Sequence, residues 1–243
     1  MPTTFVLVHA ACHGGWSWRP VAECLRTGGH TVYAPTLPGL NPEDRRADIH
    51  LSDAVDYLVD YVESHQLTDI ALVGHSWGGF VISGAGVRLA ARISRLVYWS
   101  AFVPASGESM IDLCPPAYGE LFRASAAASD DNSVIFPFEI FASALMQDAT
   151  AETQRIIYPL LERQPLHTMT ESLELEQLQQ LQLPSSYVIS KDDIALPAGE
   201  FGWIPRFPDR LHGAPVIYTP GSHEAQLTQA PALAGALTRA ATL

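Results

Sequence analysis

Basic residues are scarce in this sequence: Lys and Arg number 14 against 26 Asp and Glu, a formal net charge of −12 over 243 residues. No basic run exceeds Arg45-Arg46, so no positive stripe can follow a phosphate backbone, and nucleic acid is excluded as an expected partner. The same acidic field repels anionic lipid and anionic substrates at long range. Cysteine is also sparse. Cys12, Cys24 and Cys114 are odd in number and lack CxxC spacing, so neither a disulfide framework nor a zinc knuckle is indicated; reduced thiols in a cytoplasm are the expectation. Long apolar runs are missing. The longest, residues 96–103, stops at Pro104, far short of the roughly 20 residues that span a bilayer, so no membrane is expected. Residues 1–4 carry no basic region and lead straight into Phe5-Val6-Leu7-Val8, which argues against a signal peptide. No dinucleotide fingerprint, phosphate loop or metal cluster is present, so neither a cofactor nor a metal is expected.

What is present is a rhythm. Short β-branched and aromatic runs at residues 5–8, 31–34, 70–73, 96–99, 187–189 and 216–218 are apolar on both faces, as buried parallel strands are. Between them, Val55, Leu58, Val59 and Val62 fall at helical spacing behind a capping Ser52, and a last helix runs through residues 230–241. Alternating strands and helices give an α/β fold with a parallel sheet of about six strands covered on both faces. The rhythm breaks at residues 104–184. There Phe136, Phe138, Phe141, Leu145 and Met146, then Ile156, Ile157, Tyr158 and Leu160, are too apolar for a solvated loop. A helical cap over the C-terminal ends of the strands, inserted before the last two of them, satisfies these residues, and that edge is where open α/β sheets bind ligands. Residues 171–182 read as the polar helix that returns the chain to the sheet. The expected organisation is therefore one domain, 1–243, with a cap at about 104–184.

Chemistry enters at Gly74-His75-Ser76-Trp77-Gly78, which follows the third strand and precedes a helical stretch beginning near Phe80. A serine between strand and helix sits on a tight turn, and the flanking glycines let the backbone fold past its neighbours. A serine hydroxyl needs a positioned base. His223 follows the last strand through Thr219-Pro220-Gly221-Ser222, which puts it at the same edge of the sheet; His75 is more simply a packing residue under the turn. The histidine needs a carboxylate, and Asp192 or Asp193, at the end of strand 187–189, lies between Ser76 and His223 in the chain order that such a fold requires. Donors for an oxyanion come from the backbone N–H of Trp77 and from the loop after the first strand, His9-Ala10-Ala11-Cys12-His13-Gly14-Gly15, with Ala11 as the second donor. His9 and His13 have the spacing of a metal pair but straddle a strand-to-loop junction. Cys12 has no base at readable spacing and reads as a small residue of the loop.

These residues resemble the α/β-hydrolase superfamily, and within it the plant methylesterases and hydroxynitrile lyases with their bacterial ester- and carbamate-hydrolase relatives. The resemblance rests on Phe5-Val-Leu-Val-His-Ala-Ala-Cys-His-Gly-Gly-Trp-Ser-Trp18, Gly28-Gly-His-Thr-Val-Tyr-Ala-Pro35, Gly74-His-Ser-Trp-Gly-Gly79, Ser100-Ala-Phe-Val-Pro104 and Gly221-Ser-His-Glu-Ala-Gln-Leu227. It covers nearly the whole chain except residues 105–180. It implies Ser76, Asp193 and His223 as a triad, with Ala11 and Trp77 as oxyanion donors; Asp193 is preferred because Asp193-Ile-Ala-Leu-Pro197 matches the group's Asp-x-[Ala/Gly]-[Leu/Ile]-Pro. The lyases carry Thr and Lys where this chain has Ala10 and Glu224, which disfavours lyase chemistry. The expected protein is a serine esterase of a small, neutral, largely apolar ester or carbamate, working through an acyl-enzyme. A small-molecule receptor of the same fold and a lyase are the alternatives. A homodimer is left open.

Overall fold

The structure is a computed structural model and describes residues 2–243. Six strands form one sheet in the order β2-β1-β3-β4-β7-β8, every neighbouring pair parallel. They are β1 (Thr4–Val8), β2 (Thr31–Tyr33), β3 (Ile70–His75), β4 (Ile93–Trp99), β7 (Ser185–Ser190) and β8 (Val216–Thr219). The alternation of side chains along each strand divides the core. Phe5, Leu7, Ala71, Val73, Val97 and Trp99 pack under α1 (Arg19–Thr27) and α12 (Ala230–Thr242). Val6, Val8, Leu72, Leu96 and Tyr98 pack under α2 (Leu51–Ser64) and α3 (Gly78–Arg88).

Three expectations need correction. The helix carrying Val55, Leu58, Val59 and Val62 is capped not by Ser52 but around His50, whose N–H donates to Asp53 Oδ2 at 2.7 Å, because a carboxylate three positions into the helix reaches back to the free amide. Strand β8 is not buried on both sides. It is one edge of the sheet, with Val216 and Tyr218 exposed, and β2, where Thr31 is exposed, is the other. The long helix expected over residues 171–182 is only α9 (Glu176–Leu181), ended by Gln182 in the left-handed region at φ 46°.

Between β4 and β7 the chain forms the cap. It contains α4 (Met110–Leu113), α5 (Pro116–Ala127), α6 (Phe138–Ile140), α7 (Ala151–Ile157), α8 (His167–Thr170) and α9, with a small antiparallel pair of β5 (Ser133–Val134) and β6 (Gln164–Pro165) that periodicity did not reveal. Two-residue strands carry no readable period. Phe141 and Met146 are fully buried as expected, whereas Ile156 and Leu160 face outward at 63% and 48% exposure. Cap and sheet are tied together by polar bonds: Gln164 Oε1 accepts from the Cys12 N–H at 3.0 Å and Trp77 Nε1 donates to the Thr168 carbonyl at 2.9 Å. The short helices α10 (Arg206–Asp209) and α11 (Ala225–Thr228) lie in the two segments that follow β7 and β8.

Candidate active site

Strand β3 ends in the elbow. Ser76 has φ 54°, the left-handed region that ordinary residues avoid, and its carbonyl accepts the N–H groups of Gly79 and Phe102 at 3.0 and 3.2 Å, which fastens the strained turn. The glycines after it are required by contact. A Cβ on Gly78 would stand 2.8 Å from the His9 carbonyl oxygen, and one on Gly79 only 2.0 Å from that of Phe102, so α3 can approach the sheet this closely only without side chains. The helix starts at Gly78, two residues before the expected position.

His223 is brought to the same cavity from the far side. Its Nδ1 lies 2.7 Å from Asp193 Oδ2, and since a carboxylate only accepts, Nδ1 carries the proton and Nε2 faces away from the acid. The second oxygen, Asp193 Oδ1, accepts from the Ala195 N–H at 3.0 Å, and the carboxylate is wholly buried. Asp192 is exposed and turned elsewhere: its Oδ2 accepts from the Gly221 N–H at 3.4 Å and its carbonyl from Gln147 Nε2 at 2.6 Å. Of the two neighbouring carboxylates, Asp193 is the one that stands against the imidazole. Burial pushes the His223 pKa down, but the charge and hydrogen bond of Asp193 outweigh it and the net direction is up from 6.5.

Ser76 and His223 line one cavity together with Ala11. Ala11 lines this cavity and Trp77 directly follows the serine, and neither N–H donates to a backbone carbonyl in the described turns and loops. Much of the remaining lining is apolar, with Phe102, Met110, Phe122, Phe136, Leu145 and Trp203; His13 and Glu224 also line it, facing each other as a pair, and no Lys or Arg does. The cap arginines lie outside this lining. Arg123 and Arg155 are exposed, and Arg163 donates to Ser133 Oγ and to the carbonyls of Ser125 and Ser133.

Several other histidines and a thiol of the region are buried around the site. His9 is fully buried between the Leu37 N–H and the Ala10 carbonyl, and burial lowers its pKa to about 4. His75 stacks on Trp99 with ring centres 3.9 Å apart, the packing role expected of it. His13 Nε2 lies 3.1 Å from Glu224 Oε2. Burial pushes the Cys12 thiol up to about 12, so it is no thiolate nucleophile. Sequence reasoning missed three contributors. Trp203 stacks on the His223 ring at 5.5 Å, and Asp148, from the cap, accepts the Ser222 N–H at 3.1 Å and the Thr228 hydroxyl at 2.7 Å, holding the His223 loop. The third, Gln164, crosses from cap to oxyanion loop. None sits at a spacing that marks it; only the tertiary fold brings them in.

A model of the alpha/beta hydrolase family matches residues 5–236. The chain belongs to the alpha/beta hydrolase family. A carbendazim hydrolyzing esterase from Nocardioides sp. (strain SG-4G) is 44% identical over 119 residues, 46% of this chain and 48% of that protein. Methyl jasmonate esterase 1 of Vitis vinifera is 35% identical over 136 residues, 54% of this chain and 50% of the relative. These alignments span about half the length of each alpha/beta hydrolase. A solved structure extends over nearly everything: an extracellular alpha/beta-hydrolase from a Paenibacillus species, described as sharing structural and functional homology with tobacco salicylic acid binding protein 2, superposes with a TM-score of 0.95 at 30% identity, covering 98% of this chain and 99% of that one. Among the described residues no helix is long and apolar enough to cross a membrane.

Proposed function

We propose that this alpha/beta hydrolase is a serine esterase that cleaves a small, neutral, largely apolar ester or carbamate. The observation that carries this reading is a His223 held by Asp193 at Nδ1 in a cavity shared with Ala11 and a strained Ser76. The esterase names of two relatives support the reaction class. In this mechanism Ser76 Oγ attacks the carbonyl carbon while His223 Nε2 takes its proton. The carbonyl oxygen becomes an oxyanion held by the N–H groups of Ala11 and Trp77. Collapse breaks the bond to the leaving group, which departs with the proton returned by His223. Water, deprotonated by the same nitrogen, then attacks acyl-Ser76, releasing the acid and restoring the serine.

The substrate class follows from the walls. Apolar area buried there contributes about 25 cal/mol per Å², whereas an unpaired anion meets no Lys or Arg in the lining. Stripping such a group of water costs several kcal/mol, on the order of 100-fold in kcat/KM. A series of aryl esters and aryl carbamates, matched in size and differing by one anionic group distant from the scissile bond, is expected to show at least that preference for the neutral members. A preference for the anionic members would overturn the apolar reading of the pocket.

A further inference from the structure

Two buried ionisable groups in the cavity wall take no part in the steps above. His13 stands two residues past Ala11 in the loop after β1, and Glu224 follows His223 directly; their exposures are 1% and 0%. Glu224 Oε2 lies 3.1 Å from His13 Nε2 and accepts from Gln226 Nε2 at 2.5 Å, while Oε1 has no partner among the described residues. On the other side of the ring, His13 Nδ1 lies 2.8 Å from the Ala11 carbonyl oxygen. The ring of His13 also stacks on Trp16, centres 5.6 Å apart.

Proton counting decides the charge. A carbonyl oxygen only accepts, so Nδ1 must donate to Ala11. A neutral ring would then leave an unprotonated Nε2 3.1 Å from a carboxylate oxygen, one buried acceptor against another, with no hydrogen-bond partner for Nε2 among the described residues. A second ring proton removes that conflict, and the resulting ion pair satisfies both buried charges at once. We infer that His13 is an imidazolium fixed by Glu224, and that this ion pair is a positioning element which sets a positive charge against the oxyanion loop and tunes the basicity of His223. The inference rests on the hydrolase reading above.

Each half of the pair has a different neighbour to act on. The His13 charge is hydrogen-bonded to the residue whose N–H serves as an oxyanion donor, and a fixed charge in a low-dielectric site interacts strongly with a developing oxyanion. The Glu224 carboxylate sits beside His223 in sequence and favours its protonated form. The pKa directions agree with this arrangement. Burial presses the His13 pKa down, but Glu224 outweighs it and the net direction is up. For Glu224 burial presses upward, and His13, His223 and Gln226 outweigh it, so the net direction is down. The other titratable groups around the pair come from several elements. His9 of the β1 loop lies at about 4 and Cys12 at about 12, both through burial. His75 of β3 is pushed well below 6.5 by burial, and burial raises Tyr118 of the cap. All four are neutral near pH 7. Asp193, on the far side of His223, is the other anion.

Nitrogen-15 NMR of the histidine-labelled, full-length protein tests the charge directly. His13 is expected to show two protonated ring nitrogens at pH 7.5, above the pH at which an ordinary histidine has lost one; a His13 ring with one bare nitrogen there overturns the proposal. The pH profile of kcat/KM tests the role. Activity requires unprotonated His223, so its acid limb follows the His223 pKa. In Glu224→Gln the neighbouring anion is gone, and the limb is expected to move to lower pH, with kcat reduced about tenfold or more and KM little changed. In His13→Asn the carboxylate is left unpaired beside His223, and the limb is expected to move the opposite way. Limbs that stay put, or that move together, contradict the proposal. If a variant fails to fold, the NMR measurement on the unmodified protein still decides. An enzyme that reacts covalently at Ser76 but holds a neutral His13 loses only this inference; a charged His13 with an inert Ser76 loses only the hydrolase reading.

Discussion

Replacing Ser76 by Ala is expected to lower kcat on the order of a million-fold, the loss found when the nucleophile of a serine hydrolase is removed, and to leave only the small residual rate that an oxyanion site and binding provide. The fold should persist. Ser76 is 7% exposed at the cavity, and the turn is fastened through its backbone carbonyl. Ala supplies the same carbonyl and tolerates φ 54° no worse than Ser does. Steady-state hydrolysis of an aryl ester, paired with a thermal melt by circular dichroism, separates the two effects. A Ser76→Ala protein within about tenfold of the parent rate would remove Ser76 from the chemistry.

The next largest effect is expected at Asp193. Asn keeps the shape but offers an N–H toward His223 Nδ1, which favours the tautomer whose Nε2 carries the proton and cannot act as a base; in the well-studied serine proteases this substitution costs about 10⁴ in kcat. Asp192→Asn is the control. Among the described residues the Asp192 side chain accepts one long hydrogen bond, from the Gly221 N–H at 3.4 Å, and an amide oxygen accepts it equally, so a change of less than about threefold is expected from so weak a contact. Comparing the two variants under identical conditions checks the register. If Asp192→Asn is the more damaging, the acid has been placed one residue too late.

How far sequence alone carries depends on the range of the interaction. Strands β1, β3, β4 and β7 are legible because burial between two helical layers forces apolar runs, and the elbow is legible because Gly78 and Gly79 are required by contacts at a turn. The edge character of β8 was not legible. Its apolar run looks buried, yet Val216 and Tyr218 are exposed, since an edge strand is distinguished by what fails to cover it. The cap was legible as an apolar insertion and illegible in detail. Helices as short as α4, α6 and α8 have no period to read, and the bonds that fasten the cap, such as Gln164 to Cys12, join residues 152 positions apart. The same limit governs the site. Ser76, His223 and the pair Asp192-Asp193 announce themselves by order and by strand ends, and the family motif singles out Asp193. The electrostatic partner of Glu224, by contrast, is a histidine more than two hundred positions away, and only folding places them 3.1 Å apart.

The central claim is that Ser76 is a nucleophile activated by His223 and Asp193. A fluorophosphonate probe forms a covalent bond only with a serine whose hydroxyl is deprotonated as it attacks, so its site and rate of addition report that claim without a known substrate. Digestion and mass spectrometry should find one adduct, on the peptide carrying Ser76, lost in Ser76→Ala and slowed strongly in Asp193→Asn but not in Asp192→Asn. An adduct on another residue, or none while the folded protein hydrolyses an ester, would contradict the account.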